Sequence, residues 1–191
     1  MPTLLYLHGY NSSSQSKKAV QTQYWLAANA PHVQFICPDL PPFAVSALDM
    51  LSSIVEAHQS EPVFVVGSSM GGFFATCLAE QYGLRGVLIN PAVNPTRGLS
   101  RWIGENTNYM TEEKWVFEPR HVDEFLHLET KIINHKSDYL VLLQTGDEVL
   151  DYRDAQNYYS DAKIIIEQGG DHSFIDYDQH LATIHQFLTA H

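Results

Sequence analysis

Three widely separated side chains in this sequence are of the types that act together in nucleophilic chemistry: the hydroxyl of Ser69, the carboxylate of Asp147 and the imidazole of His172. Ser69 is the centre of Gly67-Ser68-Ser69-Met70-Gly71, a Gly-x-Ser-x-Gly pattern. The apolar run Pro62-Val63-Phe64-Val65-Val66 enters it, and a helix-forming run begins at Met70. That strand–turn–helix context is the setting of a nucleophile elbow, which presents a serine hydroxyl at the tip of a tight turn. Glycine suits positions 67 and 71, where a Cβ would collide with the turn, and Gly72 would let the helix pack close to a sheet. A serine hydroxyl is a weak nucleophile at neutral pH and needs a base, ordinarily a histidine oriented by a carboxylate. In this arrangement the partners follow in the order Ser, Asp or Glu, His. Asp147 closes an apolar run at Thr145-Gly146-Asp147, and His172 follows the next run at Gly169-Gly170-Asp171-His172. Glu148 and Asp151 are alternative acids. A phosphate-cradling glycine-rich turn is the competing reading of the elbow, but it has no use for His172.

The negative charge that develops on an attacked carbonyl oxygen needs two donors already in place. The backbone N–H of Met70, at the start of the elbow helix, is one, and the helix dipole reinforces it. The backbone N–H of Tyr10, on the loop after the first strand, is the other, with His8 bracing that loop and Gly9 permitting its turn. His8, His121 and His135 read as structural, and Asp171 as a residue that shapes the loop before His172.

These residues need a scaffold that brings distant strand ends to one edge. Short apolar runs over Thr3–Leu7, 33–37, 63–66, 86–90, Tyr139–Gln144 and 162–167 read as six strands. Helical segments alternate with them over 16–29, 45–59, from Met70 to Tyr82 (ended by Gly83), 152–159 and 177–188. Ala19, Tyr24, Trp25 and Leu26 supply the apolar contacts of the first helix, and Val45, Leu48, Leu51, Ile54 and Val55 form the stripe of the second. Such alternation predicts an α/β fold, a mostly parallel six-stranded sheet with helices on both faces. With right-handed crossovers the expected order is 2-1-3-4-5-6, and a crevice opens at the carboxyl ends of the first and third strands. Residues 95–136 break the alternation and show only one convincing helix, over 121–129. The chain is read as a single domain, 1–191, with 95–136 a cap-like insert.

The composition is that of an ordinary globular protein, 45% hydrophobic and 17% charged. A net charge of −11 disfavours nucleic acid and anionic membranes as partners. Cys37 and Cys77 sit in apolar contexts and form no metal-ligand pair. The amino terminus lacks a basic leader region and no apolar run is long enough to span a bilayer, so a cytoplasmic location is expected.

Several stretches together carry a resemblance: Leu7-His8-Gly9-Tyr10-Asn11-Ser12-Ser13, Gly67-Ser68-Ser69-Met70-Gly71-Gly72, Asn90-Pro91-Ala92-Val93, Thr145-Gly146-Asp147-Glu148-Val149-Leu150-Asp151-Tyr152 and Gly169-Gly170-Asp171-His172. Over nearly its whole length the chain resembles the small bacterial YqiA-type esterases of the α/β-hydrolase superfamily. The resemblance implies a carboxylester hydrolase, with thioesters such as acyl-CoA as alternative substrates. It implies Ser69 as nucleophile, Asp147 as acid and His172 as base, with no metal or cofactor. It also implies a minimal version of the fold, since larger members begin with two further strands. The insert holds six Lys/Arg and seven Asp/Glu, against five and fifteen in the rest. A near-neutral, aromatic-rich insert suits an uncharged or apolar acyl group, while Arg97, Arg101 and Arg120 are candidates to meet a coenzyme A phosphate. A partner-binding protein on an inactive hydrolase scaffold is the alternative outside catalysis.

Overall fold

The computed structural model describes residues 1–130 and 132–190. The first half builds four parallel strands and three helices. Strand β1 (Thr3–Leu7) leads to helix α1 (Lys17–Asn29), and β2 (Gln34–Ile36) to α2 (Ala44–His58). Strand β3 (Val63–Ser68) runs straight into α3 (Met70–Tyr82), and β4 (Arg85–Ile89) follows. Gly83 ends α3 in the left-handed conformation (φ 66°), the role a C′ glycine plays.

Between Ile89 and the next sheet strand the chain forms α4 (Thr96–Leu99), an antiparallel hairpin of β5 (Gly104–Thr107) and β6 (Lys114–Phe117), and α5 (Pro119–Leu128). The α/β pattern then resumes with β7 (Tyr139–Gln144), α6 (Tyr152–Tyr158), β8 (Lys163–Glu167) and, after a 3₁₀ turn at Tyr177–His180, α7 (Leu181–Thr189). The large sheet has the order β2-β1-β3-β4-β7-β8 with every pair parallel. Counting only its own strands, this is the expected 2-1-3-4-5-6.

The sheet is buried on both faces, and strand alternation assigns side chains to each. On one face Leu5, Leu7, Val65, Val141 and Leu143 pack with α2, α3 and Ala155 of α6. On the other, Leu4, Tyr6, Val66, Val87, Leu140 and Leu142 pack with Ala19 and Leu26 of α1 and with Leu181, Ile184 and Leu188 of α7. This two-sided burial is why the strands read as continuous apolar runs.

Two details differ from the sequence reading. Tyr24 is 74% exposed, and α1 instead buries Ala19, Thr22 and Leu26. The stripe of α2 is rotated: Val45 is 46% exposed, and Ala44, Ala47, Leu51 and Val55 face inward. In both helices an alanine and a leucine take inward positions, Ala19 and Leu26 in α1 and Ala47 and Leu51 in α2.

The hairpin in the insert was not expected. Its strands, Gly-Glu-Asn-Thr and Lys-Trp-Val-Phe, alternate exposed with partly or fully buried positions, and the first of them is polar and poor in strand-forming residues. Helix α5 begins two residues earlier than anticipated, with Pro119 at its first turn and a capping box between Glu118 and His121. No described helix is long and apolar enough to cross a membrane.

Candidate active site

The elbow forms because β3 ends in a backbone that only its glycines allow. Ser69 has φ 56° and ψ −120°, a conformation that non-glycine residues rarely adopt and that surrounding contacts must enforce. Its N–H donates to the Ile89 carbonyl at 3.0 Å, and its carbonyl accepts from the Gly72 and Ala92 N–H groups. A Cβ at Gly67 would lie 2.2 Å from the Gly71 carbonyl oxygen, and one at Gly71 would lie 2.0 Å from that of Leu7. Both glycines are therefore steric requirements of the turn, and Gly71 is also one for the packing of α3 on β1.

Three side chains from three strand ends meet here. His172 Nε2 lies 2.9 Å from Ser69 Oγ, and Nδ1 lies 2.9 and 2.8 Å from the two carboxylate oxygens of Asp147. An ionised carboxylate only accepts, so the proton sits on Nδ1 and leaves the Nε2 lone pair facing the serine hydroxyl. The Asp147 side chain is 2% exposed and the His172 side chain 21%. Asp147 Oδ1 also accepts from the Val149 and Leu150 N–H groups, which fixes the carboxylate. The alternative acids are engaged elsewhere. Glu148 accepts from the His172 backbone N–H at 3.0 Å, and Asp151 caps α6 and pairs with Arg153.

The acid and base loops are bonded to each other directly. Gly146 N–H donates to the Gly169 carbonyl at 2.7 Å, and Gly169 N–H donates to Thr145 Oγ1 at 2.9 Å. Asp171 shapes the base loop: its side chain accepts from Ser173 Oγ and its carbonyl from the Phe174 N–H.

On the other side of Ser69 runs the loop after β1. A Cβ on Gly9 would lie 3.4 Å from Ser69 Cβ and 3.8 Å from Oγ, so the backbone at Gly9 passes right beside the Ser69 hydroxyl. Met70 opens α3, and the first N–H groups of a helix have no acceptor within it. His8 is buried and ties this loop to its neighbour: its Nδ1–H donates to the Gly9 carbonyl (2.9 Å), and its Nε2 accepts from the Leu40 N–H (3.0 Å). Burial lowers the His8 pKa, with the Gly9 bond and the Asp39 charge opposing the shift. His121 is buried between Phe43 and Phe117, and His135 is exposed.

A cleft of about 1030 Å³ opens over these residues. One wall runs from Ala92 into the start of the insert at Trp102, and another is formed by α1 and residues 171–177. Arg97 pairs with Asp154, Arg120 with Glu118, and the Arg101 guanidinium lies over the Trp102 ring. Neither cysteine is a rival nucleophile, because burial pushes the Cys37 thiol up to about 12 and that of Cys77 to about 11. Among the described residues no cluster of three His, Cys, Asp or Glu could hold a metal ion.

The profile of the family described as uncharacterised protein family UPF0227 matches residues 3–189. This chain belongs to UPF0227. A UPF0227 protein of Yersinia pseudotuberculosis is 26% identical over 197 residues, covering 97% of this chain and 98% of the relative. Among solved structures, Est1E of Butyrivibrio proteoclasticus with ferulic acid bound superposes with a TM-score of 0.73 at 14% identity, covering 100% of this chain and 90% of that one. Alpha/beta hydrolase domain-containing protein 10 from mouse gives 0.72 at 17% identity, covering 96% and 88%. At such identities the likeness is one of fold, and the fold is that of the α/β hydrolases.

In this UPF0227 chain several residues that position the constellation went unread in the sequence. Asn90 (φ 41°) donates through Nδ2 to the Asp171 and His172 carbonyls, at 3.1 and 3.4 Å, and accepts from the Gln144 N–H. Gln144, 3% exposed, donates to the Ile175 carbonyl and Glu167, and accepts from the Asp171 and Ile175 N–H groups. The signal for both was a carboxamide at the end of an otherwise apolar strand, since a buried carboxamide must spend its donors and acceptors on something. Lys18 also lines the cleft and donates to the Ser173 carbonyl at 2.7 Å. Burial presses its pKa down to about 8, against the Asp171 and Asp147 charges and with help from Lys17.

Proposed function

We propose that this protein is a serine hydrolase that cleaves carboxylic esters through an acyl-enzyme. The observation that carries the reading is one imidazole bridging two partners, 2.9 Å from the Ser69 hydroxyl on one nitrogen and within 2.9 Å of both Asp147 oxygens on the other. Membership of a fold populated by hydrolases supports it.

Ser69 Oγ attacks the ester carbonyl carbon as His172 Nε2 takes its proton. Asp147 stabilises the imidazolium that forms, and the backbone N–H groups of Tyr10 and Met70 receive the negative carbonyl oxygen. His172 then gives the proton to the departing alkoxide, and the C–O bond to the alcohol breaks. Water, deprotonated by His172, attacks the acyl-enzyme, and a second tetrahedral adduct collapses to free the acid and Ser69. No step calls for a metal or cofactor. The substrate partner is a small-molecule ester.

Labelling by a fluorophosphonate probe and hydrolysis of a nitrophenyl ester test this directly. Both should be lost in Ser69→Ala, and Asp147→Asn should lower kcat by on the order of 10⁴ through the wrong histidine tautomer. Undiminished labelling of Ser69→Ala would remove the serine from its role. Faster turnover of an acyl-CoA than of the matched oxygen ester would move the substrate class to thioesters and leave the triad in place.

A further inference from the structure

The cleft extends past the triad into an arm between α1 and residues 171–177, and that arm holds polar groups that the reaction above does not use. Lys18, Gln21 and Thr22 share one face of α1, as positions three and four apart do. The Lys18 ammonium has the Ser173 carbonyl as its bonded partner and, among the described residues, meets no carboxylate at ion-pair distance. Tyr6, from the middle of the sheet, is 0% exposed, yet its hydroxyl has no hydrogen-bond partner among the described residues; the same is true of the Gln21 carboxamide oxygen. Lys18, Tyr6 and Gln21 all line the cleft that contains Ser69. The neighbouring Tyr177 hydroxyl is satisfied, 2.9 Å from Thr22 Oγ1. Buried phenols normally find a partner, so an unpaired one lining the same cleft as a half-buried ammonium marks a place where a ligand completes the bonding.

We propose that this arm is a subsite for a carboxylate carried by the leaving group of the ester. An ammonium and a phenolic O–H are both donors and together match a small anion with two acceptor oxygens, while the Gln21 oxygen, an acceptor, takes no part. The arm is lined by Lys17 and Lys18 and by Asp171 and Asp176, so its charges nearly cancel. A singly charged carboxylate therefore fits better than a dianionic phosphate. Ser173, which Lys18 grips, directly follows His172, and the base returns its proton to the leaving oxygen. The arm thus lies on the leaving-group side, and the substrates it selects are esters of hydroxy acids through their hydroxyl. This inference rests on the ester-hydrolase reading above.

The test compares 3- and 4-acetoxybenzoate with the matching acetoxybenzamides, each rate normalised to spontaneous hydrolysis. In the wild type kcat/KM should favour a carboxylate substrate by roughly tenfold or more, the size of one charge-assisted bond. The charged-to-neutral ratio should fall towards one in Lys18→Gln and by about threefold in Tyr6→Phe. A purely structural role would slow both substrates together and leave the ratio unmoved. Tyr6→Phe removes only an unpaired hydroxyl, so it carries the test if the lysine variant does not fold. A wild-type ratio near one, or a ratio unchanged in Tyr6→Phe, would overturn the subsite.

Binding to Ser69→Ala separates this idea from the reading beneath it. That variant should bind 4-hydroxybenzoate more tightly than 4-hydroxybenzamide in calorimetry. Such selectivity without any ester hydrolysis by the wild type would sink the hydrolase reading and keep the subsite. Hydrolysis without selectivity in either measurement would do the reverse. Tighter binding of phenyl phosphate than of hydroxybenzoate would overturn the assignment to a carboxylate.

Discussion

The loop that carries His172 is gripped from beneath by the sheet, whereas the loop that carries Tyr10 is gripped from the side by the insert. Under His172 the grip comes from Asn90 and Gln144, two buried carboxamides at the ends of β4 and β7, whose bonds run to main-chain atoms of residues 171, 172 and 175. A Cβ on Gly170 would fall 2.0 Å from the Gln144 side-chain oxygen, so loop and strand are fitted closely. Around Tyr10 the contacts are longer and softer. Its ring packs 5.4 Å from Trp102, 6.5 Å from Trp115 and 6.2 Å from Phe117, centroid to centroid. Asn108 donates to the Ser12 carbonyl at 2.9 Å, and the hydroxyls of Ser12 and Ser13 reach the Met110 sulfur at 4.0 and 3.7 Å. The difference teaches that the His172 loop is tied to the core, while the Tyr10 loop is tied to the part of the fold least determined by the sheet.

The contrast can be broken first on the side of the base. Gln144→Leu strands the Asp171 and Ile175 N–H groups and the Ile175 carbonyl in a buried setting, which should destabilise the protein by about 3 kcal/mol or more. The displaced imidazole should lower kcat on the order of 10²-fold, the effect of a misplacement of about 1 Å. KM should rise as well, because residues 171–177, which Gln144 holds, also form one wall of the cleft. A melting curve and steady-state kinetics on one preparation read both quantities. An unchanged kcat in a destabilised Gln144→Leu protein would show that the base loop holds itself.

The insert should give a smaller and differently shaped response. Asn108 accepts the Met110 and Thr111 N–H groups within its own turn and makes one outward bond, to Ser12. Asn108→Asp keeps the two turn bonds and loses the outward one. It should lower kcat by about tenfold, corresponding to one bond in oxyanion placement, with a stability change near 1 kcal/mol. Equal kcat in Asn108→Asp and wild type would detach the hairpin from the site. An equal loss of melting temperature in Asn108→Asp and Gln144→Leu would erase the distinction between the two grips.

This division also explains what could be read without coordinates. The strands, their order and the elbow were legible because two-sided burial writes itself as apolar runs, and because a tight turn demands glycines at 67 and 71. His172 and Asp147 were legible because the ends of parallel strands share one edge. The β5–β6 hairpin was not: Gly104-Glu105-Asn106-Thr107 has no apolar alternation and a single β-branched residue, Thr107, and the hairpin also makes contacts with Tyr10 and the Ser12 carbonyl, far away in sequence. Tyr6 looked like one more buried aromatic in β1. Its unpaired hydroxyl is a property of what surrounds it, and no spacing rule reports that.

The finest difference between the two grips lies in how each responds to acid. Asn90 and Gln144 do not titrate, but His8, which braces the Tyr10 loop, does. Its Nε2 must be unprotonated to accept the Leu40 N–H, and burial lowers its pKa in the folded state. As pH falls, the unfolded chain therefore takes up this proton first, near the ordinary histidine value of about 6.5. The contribution of neutral His8 is complete above that value and is lost progressively as pH drops towards the folded pKa. His8→Asn has no such titration, so the stability of the wild type minus that of the variant should fall as pH is lowered from about 7.5 to about 5. Over the same range amide exchange at Leu40 should quicken relative to exchange at Ile175, whose N–H is held by a carboxamide. Activity is the wrong readout here, because under the proposed mechanism it depends on the His172 imidazole as well. A difference curve flat with pH, or parallel exchange at Leu40 and Ile175, would mean that the imidazole brace is no more acid-sensitive than the carboxamide one.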